Sequence, residues 1–541
     1  MDERSGGGAN VSTRRDRALV AGLALAAQAN ALANGILYDD RVLVENPVLR
    51  APFAWPGVWA STWWGPAKPA AGLYRPVASW SLSFQGWLHE RFGLAFESVV
   101  PFHAVNALVH AVASVLVLAF LRALGIARGA ALAGACLFAV LALHVEALAP
   151  ITGRSETLAL AFGLGYVLLH VRRGPAWAAT ACYAAAVACK ESAVGFLGVA
   201  LLVDAFVRGD RPAWGRHVAS VAALLAFLAA RAFVLRDDRA ATSMLDNPLV
   251  AATTWERVLT ALAVQGDYLL HMLVPLGFRS DASHAALDVV TSLGDARVLG
   301  VLAVAVGGVV WAARAWRRQR AVALALAGYA LLFAPASNLL FPIGTPRAER
   351  LAYAPSLFVC GLAGLAIVGF AGRFERRGRA LASWVSIGVV GALVTANLAA
   401  SWARNAVWRD PATFFRAQVA EAPRSAKARF NLGAELAAEG DDAGAEREYA
   451  EALRILPDYP EALHNLGNLL RRRGEPARAL ELYRRALELQ PEFLPAAFGI
   501  VGGLHELHRD DEARAMLAQI AQRAPNHPWL AAHEALLAKP R

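Results

Sequence analysis

Apolar residues occur in long runs through the first 404 positions and in a shorter helical pattern through the rest. A run of about 20 apolar residues can cross the hydrocarbon core of a bilayer as one helix. Eleven such runs predict eleven transmembrane helices. They cover 18–37, 98–121, 130–150, 155–171, 175–189, 192–207, 217–235, 297–313, 321–341, 351–371 and 380–401.

A twelfth apolar stretch, 255–278, is interrupted by Gln265, Asp267 and His271. Polar groups surrounded by lipid are costly, so this stretch is predicted to be interfacial or re-entrant. Eleven crossings with residues 1–17 as a cytoplasmic tail put nineteen arginines and five carboxylates on the inner side. That bias follows the positive-inside rule and places the C-terminus outside the cytoplasm.

The tail repeats with a period of about 34 residues. Small residues, aromatic or leucine residues and prolines keep their phase through three units that cover 426–527. The matched positions are Ala445, Ala479 and Ala513; Tyr449, Tyr483 and Leu517; and Pro457, Pro491 and Pro525. This pattern resembles the tetratricopeptide repeat, with a half-repeat at 405–425 and a capping helix and tail at 528–541.

Composition and charge agree with two unlike bodies in one all-α chain. Hydrophobic residues make up 57% of the sequence, and 38 of its 96 charged residues lie in the last 137 positions. The net charge of +10 combines +12 in the first 404 residues with −2 in the rest, and the basic part has apolar runs bounded by arginine, which favours a membrane over a nucleic acid. The four cysteines lack the spacing of a zinc site or a disulfide framework.

Candidate chemistry lies at the predicted outer ends of the membrane helices. A long first outer loop, 38–97, begins with the acidic pair Asp39 and Asp40. The polar residues that share this predicted outer face are Arg75, His144, Glu146, Arg154, Glu156, Lys190, Glu191, Glu349 and Arg350. Taken alone, an acidic pair is more often a polar anchor at a helix end than a site, and Lys190–Glu191 can be an ion pair that satisfies itself in a short loop.

An acidic pair facing separated cations at a membrane surface suits transfer from a lipid phosphate. A carboxylate takes the proton of an acceptor hydroxyl, while arginine or lysine stabilises the charge on the departing phosphate. The anomeric carbon gains oxocarbenium character during such a transfer. Because the sequence has no GxxxxGK[ST] motif and no strand-linked GxGxxG, a lipid-linked donor is favoured over a nucleotide-linked one.

The order of the motifs resembles the transmembrane and tetratricopeptide-repeat protein O-mannosyltransferases. The motifs are the acidic pair, Asn46-Pro47, Tyr74-Arg75-Pro76, Phe102-His103-Ala104-Val105-Asn106 with His110, His144 with Glu146, Gly153-Arg154, Lys190-Glu191 and Glu349-Arg350. The resemblance implies a glycosyltransferase C fold and a polyprenyl-phosphate mannose donor. The chain departs from the family pattern at Leu141 and Ala142, and its repeat array is short.

The resemblance also implies roles for individual residues. Asp39 or Asp40 is expected to be the general base. Arg75, Arg154, Lys190 and Arg350 are expected to contact the donor phosphate, and His144, Glu146, Glu156, Glu191 and Glu349 to support them. No cofactor is assigned, and a requirement for a divalent metal stays open.

The repeats are expected to hold a polypeptide acceptor in their groove. Asn431 and Asn465 share one phase on the first helix of their repeats and are candidates for bonding a peptide backbone, whereas Gly499 interrupts the series. An asparagine in this context is also plain repeat consensus.

The sequence thus predicts an integral membrane glycosyltransferase that moves a hexose, presumed to be mannose, to serine or threonine of extracytoplasmic proteins. Two alternatives stay open: a transferase with a glycolipid acceptor, and a membrane-anchored repeat scaffold for envelope assembly. The alanine-rich, arginine-over-lysine composition suggests a bacterial inner membrane with the repeats on the far side.

Overall fold

The computed structural model describes residues 4–37, 39–50, 55–65, 72–205, 214–237, 243–280, 282–315 and 320–538. These residues form α-helices and short 3₁₀ helices, and none of them forms a strand. Contacts divide the chain into two compact units. The first comprises Met1–Ser280 with Asp288–Thr413, and the second comprises Asp281–Leu287 with Phe414–Arg541.

Seventeen α-helices lie in the first unit within the described residues. They are α1 (Arg4–Ala27), α2 (Asp39–Val44), α3 (Pro47–Arg50), α4 (Trp55–Ala60), α5 (Pro76–Arg91), α6 (Val99–Ala123), α7 (Arg128–Val140), α8 (Val145–Leu148), α9 (Arg154–Val171), α10 (Ala176–Cys189), α11 (Gly195–Val203), α12 (Trp214–Val234), α13 (Thr254–Leu273), α14 (Ala296–Ala315), α15 (Arg320–Phe333), α16 (Ser356–Ala371) and α17 (Arg379–Val407).

Every one of the eleven predicted membrane runs overlaps a helix of the first unit. Within the described residues, five helices are long and apolar enough to cross a bilayer, or six if the bent pair that contains α7 counts as one span. Three shorter apolar helices accompany them: Ala176–Cys189, Glu191–Val203 and Arg320–Ala336. The chain is an integral membrane protein, and the number of eleven crossings stays a prediction.

The stretch 255–278 forms the amphipathic helix α13, which is not among the candidate spans. It begins with a capping box in which the Thr253 and Glu256 side chains bond each other's backbone N–H groups. On its packed face Gln265 accepts a hydrogen bond of 3.0 Å from the Tyr329 hydroxyl, whereas Leu270 and Leu273 are exposed. An apolar face left open beside polar contacts fits the interfacial interpretation.

The first helix differs from its predicted bounds, because α1 begins at Arg4 inside the predicted polar tail and ends at Ala27. Side chains from α17 bond the carbonyls at its C-terminal end. Trp402 Nε1 donates to Ala26 O at 2.8 Å, and Asn405 Nδ2 donates to Ala27 O at 3.1 Å. These donors replace the helical hydrogen bonds that the last carbonyls lack.

The predicted span 130–150 is broken after Val140, and the axis bends by 45°. Two side chains of α17 bond the backbone at the break: Asn397 Oδ1 accepts from Ala142 N at 3.2 Å, and Ser401 Oγ donates to Val140 O at 3.0 Å. Backbone that leaves a helix at membrane depth needs such partners. The break allows a buried polar segment, with Glu146 on α8, to follow α7.

The second unit contains the repeats as pairs of antiparallel helices. They follow α18 (Pro411–Glu421) and are α19 (Ala426–Glu439), α20 (Asp442–Ile455), α21 (Pro460–Arg472), α22 (Pro476–Leu489), α23 (Leu494–Glu506) and α24 (Asp510–Arg523), with α25 (Trp529–Ala538) after them. The three matched alanines are buried, and so are Tyr449, Tyr483 and Leu517. Residues 539–541 of the predicted tail lie outside the described residues.

Glycines let the paired helices of the repeats approach closely. A Cβ atom built on Gly433 would lie 2.8 Å from the Tyr449 ring, and one on Gly467 would lie 2.6 Å from the Tyr483 ring. The tyrosines therefore fill the space that these glycines leave free.

Candidate active site

The predicted outer-face residues lie at helix starts and helix breaks of the first unit. Asp39 begins α2, Arg75 precedes α5, Glu146 lies on α8, and Lys190 follows α10. Arg350 lies on a 3₁₀ turn, Glu349–Ala352. Helix ends leave backbone groups without helical partners, so polar side chains can collect there at low cost.

Glu146 and Arg350 form the central ion pair. Arg350 Nη1 donates to Glu146 Oε1, while the backbone N–H groups of Glu349 and Arg350 donate to Glu146 Oε2. Glu146 is buried, but 41% of the Arg350 side chain is exposed. The carboxylate therefore fixes the arginine while part of the guanidinium stays open to a ligand.

Asp39 lies close enough to Arg350 for its charge to act on the guanidinium. Partial burial opposes the positive charge, but the carboxylates of Glu146 and Asp39 outweigh it and raise the pKa of Arg350 above its ordinary value. Asp39 itself is half-buried. A reachable carboxylate and a reachable cation are therefore neighbours at the start of the first loop.

Asp40 is fully buried, and both of its oxygens are bonded to backbone. Oδ2 accepts from Ile151 N at 2.9 Å and Oδ1 from Thr152 N at 2.8 Å. Burial raises the pKa of Asp40 to about 7, although the two backbone hydrogen bonds oppose the rise. That pKa would suit a general base, but an acceptor hydroxyl must first reach the carboxylate. Geometry therefore favours Asp39 as the base and Asp40 as the anchor of the Ile151–Gly153 turn.

Lys190 lies among several charged side chains. It forms a buried ion pair with Glu156, and both side chains are less than a tenth exposed. Burial and the positive charges of Arg75 and Arg350 hold the pKa of Lys190 well below its ordinary value. The lysine is thus part of the same electrostatic cluster as the two arginines.

Arg75 pairs with Glu191, the residue after Lys190. Its Nε donates to Glu191 Oε2 at 3.2 Å, and the backbone N–H of Tyr74 donates to Glu191 Oε1 at 3.4 Å. The guanidinium also lies 5.6 Å from the centre of the Trp63 ring. These contacts hold the first loop against the end of α10, with 15% of the Arg75 side chain exposed.

Arg154, by contrast, is buried and bonded within the fold. Its Nε donates to Asn106 Oδ1 at 2.8 Å, and its Nη2 donates to Phe102 O at 3.0 Å. These contacts join the start of α9 to the Phe102–Asn106 motif on α6. A positioning role suits this geometry better than direct contact with a ligand.

The histidines lie in the core. His144 Nε2 is 2.8 Å from Ser356 Oγ, and its ring meets the Tyr353 ring edge-on at 4.7 Å. His110 Nδ1 is 2.8 Å from the Tyr353 hydroxyl, and His103 Nε2 is 3.1 Å from Asn34 O. Such contacts orient helices and leave these rings buried.

Glu349 belongs to a second, deeper pair that the motifs did not indicate. Its Oε2 lies 3.5 Å from Arg404 Nη2, and its Oε1 accepts from Arg279 N at 2.8 Å. Burial raises the pKa of Glu349 to about 7, opposed by the charges of Arg404 and Arg347. In the sequence, this pair is indicated only by the position of Arg404, just beyond the predicted membrane helix 380–401.

Arg347 was missed by the sequence analysis. It is buried, and its Nε and Nη2 atoms make no hydrogen bond to any part of the chain that the structure describes. The positive charge acts on Glu349 and lies three residues before Arg350. A buried guanidinium with unused donors is a candidate contact for an anionic ligand.

In the repeat unit, Asn465 Nδ2 donates to the Tyr449 hydroxyl at 3.4 Å, and both Asn431 and Asn465 are half-buried. Their acceptor-binding role stays a prediction.

Comparison with known proteins shows what most of the chain is similar to. Residues 460–493 match the tetratricopeptide repeat family. The chain is 26% identical, over 83% of its length, to the protein O-mannosyl-transferase F38B6.6 of Caenorhabditis elegans. It is 25% identical over 81% to human protein O-mannosyl-transferase TMTC3 and 26% identical over 80% to human TMTC4.

The chain is a relative of the protein O-mannosyl-transferases. This confirms the resemblance drawn from the order of its motifs. The chain spans 64%, 51% and 65% of the lengths of these three relatives. The matches extend well beyond the 34 residues of the repeat match, so the membrane unit shares in the relationship.

Proposed function

We propose that the chain is a membrane mannosyltransferase that moves a hexose from a polyprenyl phosphate to serine or threonine of an extracytoplasmic protein. The observation that carries this proposal is the half-buried Asp39 beside the partly exposed Arg350, which Glu146 fixes in place. The names of the relatives support the reaction class. The predicted topology supports the side of the membrane, and the alanine-rich, arginine-over-lysine composition supports a bacterial inner membrane as its setting.

In the proposed reaction, Asp39 removes the proton of the acceptor hydroxyl as its oxygen attacks the anomeric carbon. The bond between that carbon and the phosphate oxygen breaks, and its electron pair leaves with the polyprenyl phosphate. Arg350 and Arg75 bind the phosphate oxygens, since 41% of the Arg350 side chain and 15% of the Arg75 side chain are exposed. The buried Arg347 adds positive charge near Arg350, and Lys190 lies in the same cluster, paired with Glu156.

The remaining predicted residues hold these groups in place. Glu146 orients Arg350, and Glu191 orients Arg75. Glu156 pairs with Lys190, while Arg154 and His144 tie their helices to neighbours. Asn431 and Asn465 would contact the acceptor polypeptide in the repeat groove.

The direct test is transfer by the purified full chain in proteoliposomes. We expect an acceptor protein rich in serine and threonine to gain one or more hexose units from polyprenyl-phosphate mannose, measured as intact mass. A nucleotide-linked mannose should give no product. Transfer from the nucleotide donor would contradict the lipid-phosphate site, and hexose on a glycolipid alone would replace the protein acceptor.

Arg350→Ala should weaken donor binding, because the phosphate loses a charge-assisted contact. Such a contact contributes about 1.5 to 3 kcal/mol, which corresponds to about 10- to 150-fold in affinity. Titration with polyprenyl-phosphate mannose measures the change. Arg350→Lys keeps a positive charge beside Glu146, so its donor affinity should lie between those of Arg350→Ala and the parent chain.

Arg41→Ala is the matched control for Arg350→Ala. Arg41 is an exposed arginine on α2, two residues after Asp39. Equal donor affinity in Arg350→Ala and Arg41→Ala would remove Arg350 from the donor site.

A further inference from the structure

Two histidines and an aspartate meet at the ends of α9, α11 and α12 that lie away from the candidate active site. His170 is in the last turn of α9, Asp204 directly follows α11, and His217 is in the first turn of α12. Arg154 begins α9 sixteen residues earlier, and a helix rises about 1.5 Å per residue, so roughly 24 Å separate the two ends. The proposed transferase function uses none of the three side chains.

One carboxylate joins the two imidazoles. His170 Nε2 lies 2.8 Å from Asp204 Oδ1, and His217 Nε2 lies 2.8 Å from Asp204 Oδ2. The two rings are 4.7 Å apart between centroids. All three side chains are at least 97% buried. Each histidine therefore directs the same ring nitrogen toward the same small space.

The donor set is that of a divalent transition-metal site. Imidazole nitrogen and carboxylate oxygen are ordinary zinc ligands, and each oxygen of Asp204 lies 2.8 Å from one of the two nitrogens. The ligand atoms of the three residues all lie within 4.8 Å of one another. Zinc binds such atoms at about 2.0 to 2.2 Å, which places tetrahedral ligands about 3.3 Å apart. Each N–O pair would have to open by only about 0.5 Å from its present 2.8 Å.

Other contacts already bring the same helix ends together. Arg216, the neighbour of His217, donates through Nη2 to Gly174 O at 2.7 Å, just beyond α9. His217 Nδ1 is buried and makes no hydrogen bond to the described residues. The His217 ring is thus oriented through Nε2, the atom that faces Asp204, and the ligand geometry is formed in advance.

We propose that His170, Asp204 and His217 bind one divalent ion of the zinc class, which ties α9, α11 and α12 together at this end of the membrane unit. The site is structural, because its ligands come from three helix ends and are buried from water. The bound ion would also neutralise the buried carboxylate.

The full chain, purified in detergent without a polyhistidine tag, is first stripped with a chelator and then titrated with Zn²⁺ against a competing chelator. We expect close to one ion per chain by elemental analysis and a higher Tm with rising free zinc. His217→Gln should weaken zinc binding by about 100-fold or more, because even loss of groups that only support ligands costs 10- to 100-fold. The glutamine amide can still donate a hydrogen bond to Asp204, so the variant keeps the contact between position 217 and Asp204.

His103→Gln is the matched control, since His103 is also a buried histidine of the membrane unit, with Nε2 3.1 Å from a backbone carbonyl. It should keep zinc binding at the parent level. No zinc bound by the parent chain, or equal zinc affinity in His217→Gln, would overturn the proposal and leave a hydrogen-bonded triad.

If His217→Gln does not fold, the visible spectrum of the parent chain loaded with Co²⁺ tests the proposal. The intense visible bands of a four- or five-coordinate site support the proposal, and the weak spectrum of hydrated Co²⁺ overturns it.

Discussion

Asp39→Asn should reduce turnover by about a hundred- to ten-thousand-fold while leaving the fold intact. The amide cannot take the proton of the acceptor hydroxyl, and removal of a general base has an effect of that size. Asp39 is half-buried at the start of a short helix and takes little part in core packing. The measurement is kcat for hexose transfer, beside Tm and the yield of membrane-inserted chain.

Asp40→Asn is the matched comparison, one residue away. Ile151 N and Thr152 N donate to different oxygens of Asp40, so an asparagine in the same position keeps one of these bonds and turns its NH₂ group toward the other donor. A buried donor without a partner costs about 1 to 3 kcal/mol. We therefore expect a lower Tm, with turnover of the folded fraction falling far less than in Asp39→Asn.

The reverse ranking would make Asp40 the base, in agreement with its pKa of about 7. Full transfer by both variants would remove the acidic pair from the chemistry, and another group would have to be the base.

Hydrophobic runs were sufficient to predict where helices form, because a helix satisfies its own backbone wherever lipid surrounds it. They were insufficient for helix ends. The end of α1 at Ala27 depends on Trp402 and Asn405, more than 370 residues later. The break after Val140 likewise depends on Asn397 and Ser401. Such contacts have no local signal in the sequence.

In the candidate active site, the sequence likewise did not predict which charged side chains pair. Motif order indicated that Glu146, Lys190 and Arg350 belong to one region, but the pattern of pairing was not predictable. Glu146 pairs with Arg350, and Lys190 pairs with Glu156 and not with its neighbour Glu191. Residues of opposite charge that are adjacent in sequence need not form an ion pair, because helix geometry decides which side chains meet. Arg347 was overlooked because a single arginine carries no periodic signal.

Deletion of Ala426–Arg541 should separate donor chemistry from acceptor binding. The acidic pair and every candidate cation lie in the first unit, whereas the repeats lie in the second. The truncated chain should therefore bind polyprenyl-phosphate mannose at the parent's affinity and hydrolyse it slowly. Transfer to protein should fall at least about tenfold, because the acceptor loses the gain in effective concentration that the repeats provide.

Arg350→Ala in the full chain is the opposite case, with weak donor binding and intact repeats. Together the two variants distinguish donor binding from acceptor binding. If transfer to protein persists unchanged after the deletion, the repeats do not hold the acceptor, and the first unit must bind it. If the deletion abolishes donor binding as well, its effect is on folding of the first unit. The variant Asn431→Ala, a single change on α19, then tests acceptor binding with that unit unaltered.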